Sequence, residues 1–163
     1  MSTVVGVSPE AIVRLEPGAL VLLDQTRLPG EVIERRYTSW QDVIPAIRSM
    51  VVRGAPAIGI TAAYGVALAA TADETESLAT LRETVERACK GLEGSRPTAV
   101  NLRWAIDRMR VVAAEPHADA QALRDALGVA AADIHREEVE RCVAIGDHGS
   151  HLSRDALEAI VGA

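Results

Sequence analysis

Apolar residues recur in two rhythms along this chain. Up to about residue 37 they come as short β-prone runs cut by turn residues. Leu20-Val21-Leu22-Leu23 and Glu31-Val32-Ile33-Glu34 flank the turn signal Leu28-Pro29-Gly30, and a run from Ile12 to Leu15 stops at Pro17-Gly18. Runs of this length bounded by proline and glycine read as strands. The pattern predicts a small antiparallel sheet of two or three strands.

From Thr38 onward the apolar spacing becomes three and four residues, the period of a helix face. Thr38 or Ser39 is placed to cap a first helix carrying Val43, Ile44, Ile47 and Val51. A second, from about Pro56 to Thr71, is apolar all round and is expected at the centre of the bundle. Its Gly59, Ala63 and Gly65 would let neighbouring backbones approach closely. A third, about Glu74 to Leu92, carries Leu78, Leu81, Val85 and Cys89 and is expected to end at Gly91 and Gly94. The fourth opens at Pro97 or Thr98, with Leu102, Ala105, Met109 and Val112 on one face. Arg103, Asp107 and Arg110 pair on another. Glu115-Pro116-His117 precedes a long fifth helix, Ala118 to Ile145, stopped by Gly146, and a short sixth runs from Ser153 to Ile160.

Composition narrows this picture. A length of 163 residues fits one domain, or one domain and a fragment of another. Hydrophobic residues are 48% but aromatics only 2%, with no Phe, so the core must be packed from Ala, Val, Leu and Ile. That favours close helix–helix contact over a β-sandwich. The net charge of −6, with Lys90 the only lysine, argues against nucleic acid, whose backbone needs clustered cations. The uncharged run from Ala55 to Ala72 is long enough to raise the question of a membrane span. Its Ala, Gly and Thr gain little in lipid, so a buried core helix is expected and no membrane. The N-terminus lacks a charged-then-apolar secretory pattern, and Cys89 and Cys142 read as reduced thiols at core-like helical positions of a cytoplasmic protein.

Candidate chemistry concentrates at two helix starts. In Val52-Arg53-Gly54-Ala55-Pro56, an arginine and two small residues stand ahead of a proline that opens an apolar helix. Proline is favoured there because its missing N–H costs nothing. Gly54 and Ala55 would present bare backbone N–H groups at the positive end of the helix dipole, with Arg53 alongside, which makes an anion site. Ser95-Arg96-Pro97-Thr98 repeats the arrangement. Together they suggest a pocket for a phosphorylated ligand.

Other polar clusters read as structure. Asp147, His148 and His151 lie around glycines and are expected to form a helix-ending turn and no metal site. His135 and Glu138 share a face flanked by Arg136, Glu137, Glu140 and Arg141, which reads as solvated. Asp24 and Asp107 have no paired carboxylate in sequence and are given no acid–base role. The chain's last residues, Val161-Gly162-Ala163, read as an interruption and not a natural end.

Several segments together resemble the 5-methylthioribose-1-phosphate isomerase family of methionine salvage. They are Leu22-Leu23-Asp24-Gln25-Thr26-Arg27-Leu28-Pro29, Val52 through Gly59, Ala63-Tyr64-Gly65, Ser95 through Leu102, and Ile145-Gly146-Asp147-His148-Gly149. They follow the family's order with similar spacing across most of the chain. Ribose-1,5-bisphosphate isomerases and the regulatory subunits of eukaryotic initiation factor 2B are related to that family. The resemblance implies an aldose–ketose isomerase acting on 5-methylthioribose 1-phosphate. It assigns substrate binding to Arg53, Gly54, Ala55 and Arg96, and implies no cofactor. It also implies a larger Rossmann-like C-terminal domain holding a catalytic cysteine and aspartate. Cys89 and Cys142 do not fit that motif, so no catalytic residue is expected here and the chain alone should be inactive.

The resulting expectation is an α+β fold: a β-sheet subdomain over residues 1–37 and a bundle of five to six helices over 38–163, together one N-terminal domain. The expected partner is a small phosphorylated sugar, and the full-length form is expected to be a homodimer. A related sugar-phosphate isomerase, a non-catalytic regulatory relative and a free-standing helical interaction module remain as alternatives.

Overall fold

The structure, a computed structural model, describes the backbone of residues 11–161 and the side chains of residues 11–150. Strands β1 (Val13–Glu16), β2 (Ala19–Leu23) and β3 (Glu34–Tyr37) form one antiparallel sheet with β2 in the middle. One face carries Val13, Leu20 and Leu22 into the core, with Leu15 and Tyr37 packed against them. On the other face Val21 pairs in register with Arg14 and Arg36. Those arginines reach across the sheet. Arg14 donates to both oxygens of Glu34 at 2.6 and 2.7 Å and to Glu16 at 3.0 Å, and Arg36 donates to Glu16. Val21, flanked in register by Arg14 and Arg36, is buried with the rest of β2.

The third strand differs from the expected one. Glu31–Ile33 is not in the sheet and Val32 is 59% exposed, whereas the charged segment Glu34–Tyr37 pairs with β2. The Glu31 N–H donates to the Arg27 carbonyl at 3.0 Å, which holds residues 27–31 in a turn and delays the strand. A charged outer strand also protects the sheet edge from pairing with other chains.

Five helices follow: α1 (Trp40–Arg48), α2 (Ala55–Ala72), α3 (Leu78–Glu93), α4 (Val100–Ala114) and α5 (Ala120–Val161). Ser39 caps α1 by accepting from the Gln41 N–H at 3.2 Å. As expected, α2 is the central helix, buried from Ile58 to Ala70 and packed against α3, α4 and α5. It is long and apolar enough to cross a membrane by length and composition, and it lies mostly inside protein. The α+β expectation holds.

Several helix boundaries move. Ser77 caps α3, later than Glu74, because Asp73 accepts from the Thr75 N–H at 3.0 Å and from Thr84 Oγ1 at 2.6 Å, which fixes the connection as a turn. Gly91 lies inside α3, where an added Cβ would stand 2.6 Å from the Trp40 ring, and Gly94 ends the helix. Helix α4 begins at Val100 with Ala99 as its cap, so Pro97 and Thr98 sit in the preceding turn. Helix α5 runs on through Gly146 and replaces the expected turn and short sixth helix. Glycine lowers helix propensity by about 1 kcal/mol, but no proline follows to force a stop.

Gly59 of α2 makes the expected close backbone approach, whereas Gly65 lies against a side chain. A Cβ on Gly59 would lie 3.0 Å from the Asn101 carbonyl oxygen of α4, and one on Gly65 would lie 3.0 Å from the Leu92 side chain of α3. The Gly59–Asn101 approach brings the opening turns of α2 and α4 together at one end of the bundle.

Candidate functional site

Val51 and Val52 are buried and pin the chain just ahead of α2. Arg53, Gly54 and Ala55 then emerge exposed. Gly54 caps α2 with φ +96°, a conformation L side chains rarely adopt, and contributes no side-chain cap. The dipole end of an 18-residue helix is therefore left facing outward with backbone N–H groups. Pro56 occupies the second helical position, where its missing N–H costs no intrahelical bond.

Gln25 holds Arg53 in place. Its Oε1 accepts from the Arg53 N–H at 3.1 Å, its carbonyl accepts from Arg53 Nη2 at 3.0 Å, and its N–H donates to the Val51 carbonyl at 2.9 Å. Asp24 fixes the turn that presents Gln25. Its buried carboxylate accepts from the Thr26 N–H at 3.0 Å, Thr26 Oγ1 at 2.5 Å and Arg35 Nε at 2.6 Å. The Thr26 hydroxyl, then the Arg35 guanidinium, hold that carboxyl below the usual aspartate range. Asp24 is a structural carboxylate. Nothing in the sequence pattern singled out Gln25, because its contacts reach a segment 28 residues away.

Arg53 and Gly54 line a pocket of about 290 Å³ whose other walls include Val13, Ile60, Val139 and Cys142. Glu138 also lines it and is 2% exposed. This corrects the solvated-face reading. The inward stripe of α5 runs Ala120, Leu123, Leu127, Ala131, Ile134, and Glu138 takes the next position in the same register. Extending the apolar stripe by one turn would have found it. Glu138 is ion-paired to Arg141, whose guanidinium lies 5.7 Å from the centroid of the Trp104 ring. His135 is half-buried, its Nδ1 3.0 Å from the Tyr64 hydroxyl. Cys142, expected at a core-like position, is exposed because this part of α5 extends past the bundle.

Arg96 is half-buried in the α3–α4 turn and does not line this pocket. Its carbonyl accepts from the Ala99 N–H at 3.0 Å, so it stands one turn ahead of α4 instead of at its first position. The turn itself is anchored by buried Ser95, whose hydroxyl donates to the Leu92 carbonyl at 2.5 Å. The structure thus joins Arg53 and Gly54 in one pocket and sets Arg96 on the neighbouring helix start.

The remaining candidates fall outside this site. Cys89 is buried in α3, and desolvation pushes its thiol up to about 12. Asp107 pairs with Arg110 at 3.2 Å, while Arg103 turns to Glu93 at 3.6 Å. Asp147 and His148 lie within α5, the His148 Nδ1 2.7 Å from the Ala144 carbonyl, and not in a turn. The His151 side chain lies outside the described residues.

Comparison with known proteins gives a consistent set of relatives. The profile of the Initiation factor 2 subunit family matches residues 51–160. A methylthioribose-1-phosphate isomerase of Geotalea daltonii is 44% identical over 142 residues, covering 86% of this chain and 41% of the relative. The crystal structure of 5-methylthioribose 1-phosphate isomerase from Pyrococcus horikoshii superposes with a TM-score of 0.72 at 30% identity, over 77% of this chain and 36% of that one. The delta subunit of translation initiation factor eIF-2B from A. fulgidus gives 0.74 at 32% identity, over 79% and 37%. The chain spans about two fifths of the length of these relatives.

Proposed function

Because this chain belongs to the Initiation factor 2 subunit family, we propose that it serves as the N-terminal, phosphate-anchoring domain of a cytoplasmic aldose–ketose isomerase. The substrate would be 5-methylthioribose 1-phosphate and the product 5-methylthioribulose 1-phosphate. The observation that carries this reading is the α2 start: Gly54 opens the helix dipole to solvent while Gln25 clamps Arg53 beside it. The residue 1–37 sheet subdomain and the 38–163 bundle act here as one unit, and the complete protein works as a homodimer.

The chemistry explains why anchoring matters. A phosphate on C1 locks the ring, so the sugar cannot open as a free hemiacetal. Moving a proton from C2 then requires an acid–base pair in a shielded site and a substrate that does not shift. Arg53 and the Gly54 and Ala55 N–H groups fix the phosphate, Arg96 adds a second cation, and the second domain brings the proton-transfer groups. The chain by itself does not catalyse the reaction.

The likeness to the eIF-2B delta subunit favours one second reading, a regulatory relative that binds a sugar phosphate without turnover. Kinetics of the two-domain protein separate the two. Arg53→Ala and Arg96→Ala should each raise KM by about one to two decades, the loss of a charge-assisted bond of about 1.5–3 kcal/mol, with Tm nearly unchanged. Wild-type kinetics in both variants would remove these arginines from the site. Binding of the sugar phosphate without ketose formation would favour the regulatory reading.

A further inference from the structure

Arg53 and Gly54 form an exposed joint between buried Val52 and the first turn of α2. Gly54 sits at φ +96°, and glycine is the residue least able to fix the direction of the chain by itself. The local sequence therefore leaves the course of Arg53 open. Among the described residues, both hydrogen bonds that Arg53 donates end on Gln25. The two bonds divide the task. The Gln25 side-chain Oε1 takes the Arg53 N–H at 3.1 Å and fixes the backbone, while the Gln25 carbonyl takes Nη2 at 3.0 Å and fixes the guanidinium. Gln25 is held in turn, since its N–H donates to the Val51 carbonyl and the buried Asp24 before it is locked by Thr26 and Arg35. Gln25 does not line the pocket that Arg53 and Gly54 open, so its reach to a ligand there is indirect.

We propose that Gln25 is a positioning residue of this site, its side-chain amide setting the backbone of Arg53, and with it the direction of the guanidinium, before an anion arrives. The proposal rests on the isomerase reading above and adds to it a residue that touches no substrate. A cation ordered in advance binds more tightly than one that must be ordered by its ligand. A phosphate held alike in the ground state and the transition state contributes to KM and not to kcat. The mark of Gln25 is thus a change in KM alone.

The test uses the two-domain protein with 5-methylthioribose 1-phosphate and compares Gln25→Met, Arg53→Ala and the double variant. Gln25→Met keeps the reach of the side chain, removes its acceptor and leaves the backbone carbonyl in place. It should raise KM by about three- to tenfold, with kcat within about twofold of the wild type. A glutamine that served the fold alone would lower Tm and the active fraction, and so kcat, while KM stayed put. In the Arg53→Ala background the same change should raise KM by less than about twofold, because the group it positions is gone. Gln25→Ala also lacks the acceptor and carries the comparison if Gln25→Met does not fold. An unchanged KM, an equal rise with and without Arg53, or loss of the fold in both Gln25 variants overturns the proposal. Failure of the wild type to turn over the sugar refutes the isomerase reading instead. Calorimetric binding of the same sugar phosphate to the four proteins then decides the role of Gln25 without turnover.

Discussion

The same substitution, glycine to alanine, should have opposite signs at two positions of this bundle. Gly59 in α2 and Gly128 in α5 are both helical glycines. In isolation each would gain about 1 kcal/mol from alanine, through a smaller loss of backbone freedom on folding. Around Gly128 an added Cβ meets nothing within 4 Å, so that gain is realised in full. At Gly59 the Cβ would stand 3.0 Å from the Asn101 carbonyl oxygen, 3.4 Å from its carbon and 3.6 Å from its Cβ. The obstacle is backbone, so α4 must move by a few tenths of an ångström. Over-packing of this kind costs about 1–3 kcal/mol and outweighs the propensity gain. A chain of this size shifts its Tm by about 2–4 °C per kcal/mol. Gly128→Ala should therefore raise Tm by about 2–4 °C, and Gly59→Ala should lower it by a similar amount. Gly59→Leu should lower it further. Thermal melts followed by circular dichroism decide the matter. A Gly59→Ala protein as stabilised as Gly128→Ala would show that α2 and α4 do not approach as closely as described.

Two smaller predictions concern ionisation. Asp24 has a folded pKa below its unfolded value, so its contribution to stability is complete above the unfolded aspartate value, about 3.9, and is lost as pH falls through the folded one. Asp24→Asn should thus flatten the fall of Tm between neutral and strongly acidic pH, and an identical acid profile would refute the assignment. Cys142 is exposed while Cys89 is buried with its thiol pushed up to about 12, so a thiol reagent should label Cys142 quickly and reach Cys89 only on unfolding. Equal rates in the native protein would contradict that placement.

Periodicity carried much of the fold. The uncharged run became the central helix because it has no face to offer water, and its Gly59 met a neighbouring backbone as expected. A single local signal misleads where tertiary contacts override it. Val32 and Ile33 look more like strand than Glu34-Arg35-Arg36-Tyr37, yet the charged segment pairs, because its Glu34 and Arg36 join Arg14 and Glu16 of β1 in a set of ion pairs beside Val21. Gly146 reads as a stop, but glycine alone does not break a helix that proline leaves uninterrupted. At the site, Arg53 and Gly54 were legible because helix-start chemistry is local. Glu138 and Gln25 were not, since charged neighbours mask the place of Glu138 in the α5 stripe, and Gln25 acts across the fold.

That last contact would give the small sheet a part in the proposed site. Three strands of four or five residues bury little by themselves, and a sheet this small could be dispensable to a five-helix bundle. What β2 does is deliver Asp24 and Gln25 at its end, where buried Asp24 freezes the turn and Gln25 bonds Val51 and Arg53 at three points. An exposed arginine at a helix start would otherwise sample many rotamers, and ordering it on binding would cost up to about 2 kcal/mol. A cation directly beside the positive end of a helix dipole is also unfavourable until an anion arrives. If Arg53 and Gly54 bind a phosphate as proposed, holding Arg53 from the sheet side would meet both costs during folding, and the anion would find a preformed site. On the proposed reading the sheet and the bundle would then be two halves of one anion-binding device, and Asp24 and Gln25, which join them, would matter as much as the residues that touch the ligand.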